Sequence, residues 1–119
     1  MGGSRSFRGA WFQPTFQKHA GRTCGGVQLH VRERAAFASV RTGLAVLQAL
    51  RSASVERFAW RTEPYEFVAD PIAIDLLFGS NRERLALEAG TPLRDIVADW
   101  APEETAFAQR RQPCLLYPE

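Results

Sequence analysis

The chain has 119 residues, which is enough for one domain with one hydrophobic core and too few for two. Its apolar fraction of 45% and charged fraction of 24% exclude a chain that is disordered throughout, and its net charge of only +2, with Arg and Glu mixed along the sequence, argues against a nucleic-acid partner. A run of about 18 apolar residues, as a membrane span needs, is absent. The first residues also lack the apolar core of an export signal.

The N-terminal part predicts two strands joined by a long loop. Residues 1–5 are expected to be disordered or a cloning remnant, and residues 6–12, SFRGAWF, predict a strand rich in aromatic side chains. Pro14 and three glycines break the following stretch into a loop. The glycines are Gly21, Gly25 and Gly26, and we interpret them as giving the backbone a shape that lets the loop lie close to a ligand or a partner domain.

The second strand, residues 27–31, alternates cleanly between apolar and polar side chains. The three apolar side chains of VQLHV point to one face, and Gln28 and His30 point to the other. This pattern predicts a half-buried strand whose second face is polar or meets a partner.

Helices dominate the rest of the chain. Residues 36–51 carry an apolar stripe at helical spacing, formed by Phe37, Val40, Leu44, Leu47 and Leu50. Gly43 interrupts this helix, and a close packing contact would explain it.

Residues 71–79 predict a helix with Pro71 in its first position, and Asp70 before it is interpreted as a helix cap. Ser80 and Glu83 form a capping-box pattern that starts a helix ending at Gly90.

The next helix begins with Thr91 as its cap, and Pro102 should kink or split it before a last helical stretch at 103–111. Short strands are predicted at 65–68, YEFV, and at 114–117, CLLY. The fold class is therefore α+β: a small mixed sheet of about four short strands packed with four or five helices in a single domain.

A carboxylate pair of the kind that glycosidases use is not evident in the sequence. Glu66, in the predicted strand 65–68, is the candidate if the chain acts by itself, but a solvated strand residue explains it as well. Asp75, inside an apolar helix, is better explained by a structural hydrogen bond or an Arg pair. No catalytic residue is therefore expected in this chain.

Metal and cofactor sites are not expected. His19 and Cys24 lie close in sequence, but no second pair of ligands follows at zinc-site spacing, and a Cys–His nucleophile would lack an orienting partner. Cys24 is expected to be a small buried apolar residue. Free thiols are the default for Cys24 and Cys114, and the sequence leaves open whether they pair.

Lys18 is the single Lys among fifteen basic residues, and it lies in the glycine-rich loop beside His19. A compact ammonium group suits a single hydroxyl or carboxylate better than the planar fork of Arg does. Each candidate also has an interpretation without a binding role. Lys18 can be an exposed loop residue, and His19 can brace the loop with a hydrogen bond. Gln28 and His30 can simply be exposed.

Several segments in a fixed order carry a family resemblance over nearly the whole chain, from Phe7 to Tyr117. They are F-x-PTF-x-KHAG-x-x-C-GGVQLHV, then GLAVLQAL, RFAW, YEF, IDLLFG and a final LLY. The chain resembles the C-terminal domain of the NamZ-type exo-β-N-acetylmuramidases, which are bacterial glycoside hydrolases that remove N-acetylmuramic acid from peptidoglycan fragments. The stretch from Pro14 to Val31 is the most specific part.

The resemblance implies a longer enzyme whose N-terminal, Rossmann-like domain holds the catalytic carboxylate. This chain would then form one wall of the glycan cleft, pack on that domain, and be inactive by itself. Lys18, His19, Gln28 and His30 are the candidates for binding the sugar, with Lys18 facing the lactyl carboxylate of N-acetylmuramic acid.

The alternatives are a stand-alone glycan- or protein-binding module and an inactive truncated fragment. Self-association through an uncovered apolar patch is a further expectation. The resemblance also suggests a secreted, periplasmic or envelope-associated location in bacteria.

Overall fold

An antiparallel pair of strands opens the fold in the computed structural model, which describes residues 5–117. Strand β1 spans Arg5–Phe12 and strand β2 spans Cys24–Val31, with Arg5 opposite Val31 and Phe12 opposite Cys24. Both predicted strands are confirmed. The second one begins three residues earlier than expected, so it includes Gly25 and Gly26, which the sequence placed in the loop.

This ribbon belongs to the first of two compact units, Met1–Ser39 and Val40–Glu119, into which the chain divides. Arg5 begins β1, and the other residues of the predicted disordered start, 1–4, lie outside the described residues.

The regular structure of the second unit is helical. Its elements are α1 Ser39–Ala53, which begins at the boundary between the units, α2 Ala73–Phe78, α3 Arg82–Glu88, α4 Leu93–Ile96, α5 Trp100–Arg111 and a 3₁₀ turn at Gln112–Cys114. The α+β class is confirmed, but the described residues hold one two-stranded sheet rather than about four strands.

Two predicted strands are wrong because local turns replace them. Tyr65 and Val68 exchange two backbone hydrogen bonds of 2.9 Å around Glu66 and Phe67, whose φ angles are +49° and +66°. Two consecutive left-handed residues make a tight reversal rather than a strand. Residues 114–117 contain the end of the 3₁₀ turn and no strand.

The helix ends agree only in part with the sequence signals. Gly90 adopts a φ of +74° after α3, as expected for a glycine that ends a helix, and Gly79 does the same after α2 with a φ of +77°. The Ser80 hydroxyl donates to the Glu83 carboxylate at 2.7 Å and accepts from the Arg82 N–H at 3.4 Å, but Asn81 precedes α3 as its cap without a side-chain hydrogen bond, so the predicted capping box with Ser80 as the cap is wrong.

Other predicted helix starts are displaced. Helix α2 is preceded by Ile72, so Asp70 does not cap it and Pro71 is not its first residue. Pro92, not Thr91, precedes α4. Pro102 lies in the first turn of α5, where its missing N–H costs no intrahelical bond, and the break between α4 and α5 comes before it.

The core of the described chain is small. Its buried apolar side chains are Leu44, Leu87 and Ala73. The burial of Leu44 confirms the central position of the predicted apolar stripe. Its outer positions are wrong, because Val40 and Leu50 are more than half exposed and Phe37 precedes the helix. Two side-chain hydrogen bonds tie α1 to the end of α3: the Gln48 amide donates to the Thr91 carbonyl at 2.8 Å and Arg51 donates to the Glu88 carbonyl at 3.1 Å.

Gly43 is not explained by close packing. A methyl group at this position would meet no atom within 4 Å, because Gly43 faces an open apolar groove of about 230 Å³. The other residues that line the groove are Val40, Leu44, Leu47, Ile74, Leu77 and Phe78.

Candidate functional site

The loop between the two strands is shaped by its own backbone hydrogen bonds. The N–H of Gly21 donates to the Pro14 carbonyl at 2.9 Å, and the Gln13 side-chain amide donates to the Gly21 carbonyl at 2.7 Å. Two contacts on the same glycine therefore close the loop. The φ of Gly21 is +73°, a conformation that glycine adopts without steric cost, as the sequence analysis expected of it.

Two further residues of the loop have left-handed backbones. Gln17 and His19 have φ angles of +60° and +61°, which cost residues with a side chain roughly 1–2 kcal/mol each. The N–H of Arg22 donates to the His19 carbonyl at 3.0 Å and so holds this conformation. Lys18 lies between them, and both Lys18 and His19 are exposed. The loop thus presents an ammonium group and an imidazole to the surroundings on an ordered turn.

Gln28 and His30 lie farther along the ribbon. Cross-strand partners share a face of an antiparallel sheet, so Gln28 lies with Arg8, and His30 with Ser6. At a rise of about 3.3 Å per residue, Gln28 is about 13 Å and His30 about 20 Å along β2 from its first residue, Cys24. Lys18 and His19 therefore form one group in the loop, and Gln28 and His30 form another along the polar face of the strand.

Gly25 and Gly26 accommodate aromatic rings of the neighbouring strand. A Cβ atom on Gly25 would come within 3.2 Å of the Trp11 ring, and one on Gly26 within 2.9 Å of the Phe12 ring. Their function is therefore to let these rings lie across β2, and not to shape a loop. The sequence alone does not predict this role, because it depends on the register of the two strands.

The opposite face of the ribbon is apolar and open. The register places Phe7, Trp11, Val27, Leu29 and Val31 on it, and we call these five residues the apolar ribbon face. Trp11 is 82% exposed and even the best covered, Leu29, is 39% exposed. The predicted alternation of β2 is confirmed, but the expectation that its apolar side is buried is wrong for the described chain.

The carboxylates considered for catalysis are not paired with each other. Glu66 is exposed at the tip of the turn that replaces the predicted strand. Asp75 is buried and accepts hydrogen bonds from the Arg84 guanidinium at 2.8, 2.9 and 3.1 Å, which confirms the Arg pair considered for it. Arg84 also donates to Glu88 at 3.1 Å, and these hydrogen bonds, that to Asp75 above all, raise the pKa of Arg84.

An open polar cleft of about 460 Å³ surrounds this pair, and no pattern in the sequence predicts it. Its lining includes Asp70, Asp75, Ser80, Asn81 and Arg84. Asp75 and Arg84 are not arranged for catalysis, because the carboxylate and the guanidinium already neutralise each other through direct hydrogen bonds. The cleft is therefore better explained by stability than by chemistry.

Replacing Arg84 by Met should lower the thermal midpoint of the chain by about 5 °C or more, because the buried Asp75 carboxylate loses its partner. The matched control is Arg82→Met. Arg82 forms a bidentate pair with Glu103 at 2.7 and 2.9 Å and lowers the pKa of that carboxyl, but both side chains are more than half exposed. We expect its loss to change the midpoint by less than about 2 °C. Circular dichroism melts measure both, and equal shifts would contradict the distinction.

The remaining candidate chemistry is limited. No group of three or more His, Cys, Asp or Glu residues that could hold a metal ion occurs among residues 5–117. Cys24 and Cys114 are free thiols, and Cys24 is half-buried rather than buried, with its sulfur 3.6 Å from the Arg22 carbonyl. None of the helices in the described range has the length and apolar character that crossing a membrane requires.

Comparison with known proteins gives a match along nearly the whole chain. Residues 3–117 match the family described as "Exo-beta-N-acetylmuramidase NamZ, C-terminal". The chain is also 35% identical over 112 residues to the peptidoglycan beta-N-acetylmuramidase NamZ of Bacillus subtilis (strain 168). No solved structure matches.

The aligned region covers 94% of this chain and 25% of the Bacillus subtilis protein, so the chain spans about a quarter of the length of that relative. A match of this extent to the family confirms the resemblance carried by the residues from Pro14 to Val31 and by the helical segments after them. The chain belongs to the NamZ C-terminal domain family.

Proposed function

We propose that this chain forms one wall of the glycan cleft of a peptidoglycan exo-β-N-acetylmuramidase and packs on an N-terminal domain that supplies the catalytic carboxylate. The observation that carries the proposal is the match of 94% of the chain to one quarter of a peptidoglycan beta-N-acetylmuramidase. Glycosidases of most families use two carboxyl groups that flank the scissile bond. Glu66 at an exposed turn and Asp75 bound to Arg84 do not supply such a pair, which supports a second domain as the source.

The loop between β1 and β2 is the proposed contact with the sugar. Lys18 offers a point charge for the lactyl carboxylate of N-acetylmuramic acid, and His19 offers a ring nitrogen for a sugar oxygen. The left-handed residues on both sides of Lys18 favour this assignment, because backbone strain is often retained where a residue has to be presented in one direction. Gln28 and His30 would contact a more distant part of the same glycan.

A chromogenic β-N-acetylmuramide tests the proposal. The chain by itself should release no chromophore above background, because the acid is missing. A chimera should release it, namely the Bacillus subtilis relative with its matching quarter replaced by this chain. Its comparison protein is the same relative with that quarter deleted.

Glu66→Gln is the matched control for catalysis within the chain, and it should leave the chimera's turnover unchanged. Turnover by the chain alone that survives repurification and disappears in Glu66→Gln would contradict the two-domain account. A chimera no more active than the deleted relative would contradict the assignment of the chain to this enzyme.

A further inference from the structure

The apolar ribbon face is exposed to water, which is unfavourable in free energy. Its five side chains are all between 39% and 82% exposed, and they lie on one side of the two strands without an intervening polar residue. Contiguous apolar surface of this kind marks an interaction site far more often than scattered apolar residues do. Burial of such side chains contributes free energy in proportion to the apolar area removed from water.

The ribbon also needs support of its own. An isolated two-stranded sheet is at best marginally stable in water, and a third strand or a packed layer on one face is required for stability. The two faces differ sharply in what they could accept. The opposite face carries Ser6, Arg8, Gln28 and His30, which can hydrogen-bond a sugar, whereas the apolar ribbon face offers no polar side chain except Arg5 at its end. Three of the five side chains, Val27, Leu29 and Val31, are aliphatic and offer a sugar neither a hydrogen bond nor an aromatic ring, so an apolar protein surface is the partner that can cover the whole face.

The Bacillus subtilis relative indicates which protein surface this is. Three quarters of that polypeptide lie outside the aligned region and are covalently joined to it. A tethered partner acts at a high effective concentration, so it covers an apolar face before a second copy of the chain can do so at ordinary concentrations.

We propose that the apolar ribbon face is the docking surface for the N-terminal domain. This rests on the proposed function, since it assumes the two-domain enzyme. Trp11 is the anchor: its ring lies across Gly25, it is the most exposed of the five side chains, and β1 ends one residue later. Docking through Trp11 brings the loop with Lys18 and His19 to the border of the interface, so that one contact both stabilises the ribbon and places the loop beside the partner domain.

Hydrogen exchange measured by mass spectrometry tests the docking surface in the chimera and in the free chain. Amides of residues 5–12 and 24–31 should exchange at least about tenfold more slowly in the chimera, because covering the face stabilises the ribbon. Phe7→Lys should remove most of this protection in the chimera. Ser6→Lys is the matched control, since it adds the same charge one residue away on the opposite face, and it should change protection less than about twofold.

Two results would overturn the assignment. One is equal ribbon exchange in the free chain and the unsubstituted chimera. The other is a dimer of the free chain, seen by sedimentation, that Phe7→Lys but not Ser6→Lys dissociates, because the face would then belong to a second copy. Turnover of the β-N-acetylmuramide is measured on the same unsubstituted chimera. Turnover without ribbon protection refutes the docking surface alone, and ribbon protection without turnover refutes the proposed function alone.

Discussion

Lys18→Met is expected to lower kcat/KM of the chimera for a β-N-acetylmuramide by about ten- to a hundredfold. The substitution keeps most of the side-chain stem and removes the ammonium charge. A charge-assisted hydrogen bond to the lactyl carboxylate contributes roughly 1.5–3 kcal/mol, which corresponds to a loss of that size. Folding should not change, since Lys18 is exposed and lies in a loop whose hydrogen bonds run through Gly21, Pro14 and Gln13.

The control for this prediction is the sugar that lacks the lactyl group. A matching β-N-acetylglucosaminide should lose much less in Lys18→Met, because it presents no carboxylate to this position. Lys18→Arg should also be impaired on the muramic substrate, since a bulky planar fork does not replace a compact ammonium group. If Lys18→Met is as active as the unsubstituted chimera, or if both sugars lose equally, Lys18 does not recognise the lactyl group and the loop serves the domain interface.

Leu44→Ala is expected to destabilise the chain by about 2–5 kcal/mol, the range for a large-to-small change in a packed core. Leu44 is fully buried, and only two other apolar side chains among residues 5–117, Leu87 and Ala73, reach the same class of burial. Because whole domains are stable by only about 5–15 kcal/mol, this one substitution would remove a large part of the total. Urea unfolding followed by the helical circular dichroism signal measures it.

Leu50→Ala makes the same chemical change on the same helix, α1, at a side chain that is 56% exposed. We expect it to cost less than about 1 kcal/mol. Similar losses for both variants would mean that α1 does not pack as the structure has it.

Local signals predicted the backbone well where one residue decides the outcome. Gly21 was expected to shape a loop and Gly90 to end a helix, and both have left-handed backbones. The same kind of signal failed at YEFV. Tyr, Phe and Val favour strands, but a strand forms only where a second strand pairs with it, and here the chain turns back on itself at Glu66 and Phe67.

The sequence predicted which residues belong to the candidate site, but not their backbone conformations or their distances from one another. The isolated Lys in a glycine-rich loop pointed to Lys18 and His19 without any structure. The left-handed backbones of Gln17 and His19 could not be predicted, since Gln rarely adopts that conformation and the enrichment of His in it does not single out one residue. The distance of His30 from the loop became evident only with the full length of β2.

The sequence by itself determined the family, the α+β class, the two N-terminal strands and the alternation of apolar and polar side chains along β2, because each of these depends on residue order or on spacing within a few residues. The tertiary structure alone decided which side chains from different segments contact each other. Arg84 in α3 pairs with Asp75 in α2, and the register of the ribbon places the Trp11 ring across Gly25. The apolar face of the ribbon is exposed. These outcomes depend on contacts between segments far apart in the chain, and burial is a property of what lies opposite a side chain, which the spacing of residues in one strand does not encode.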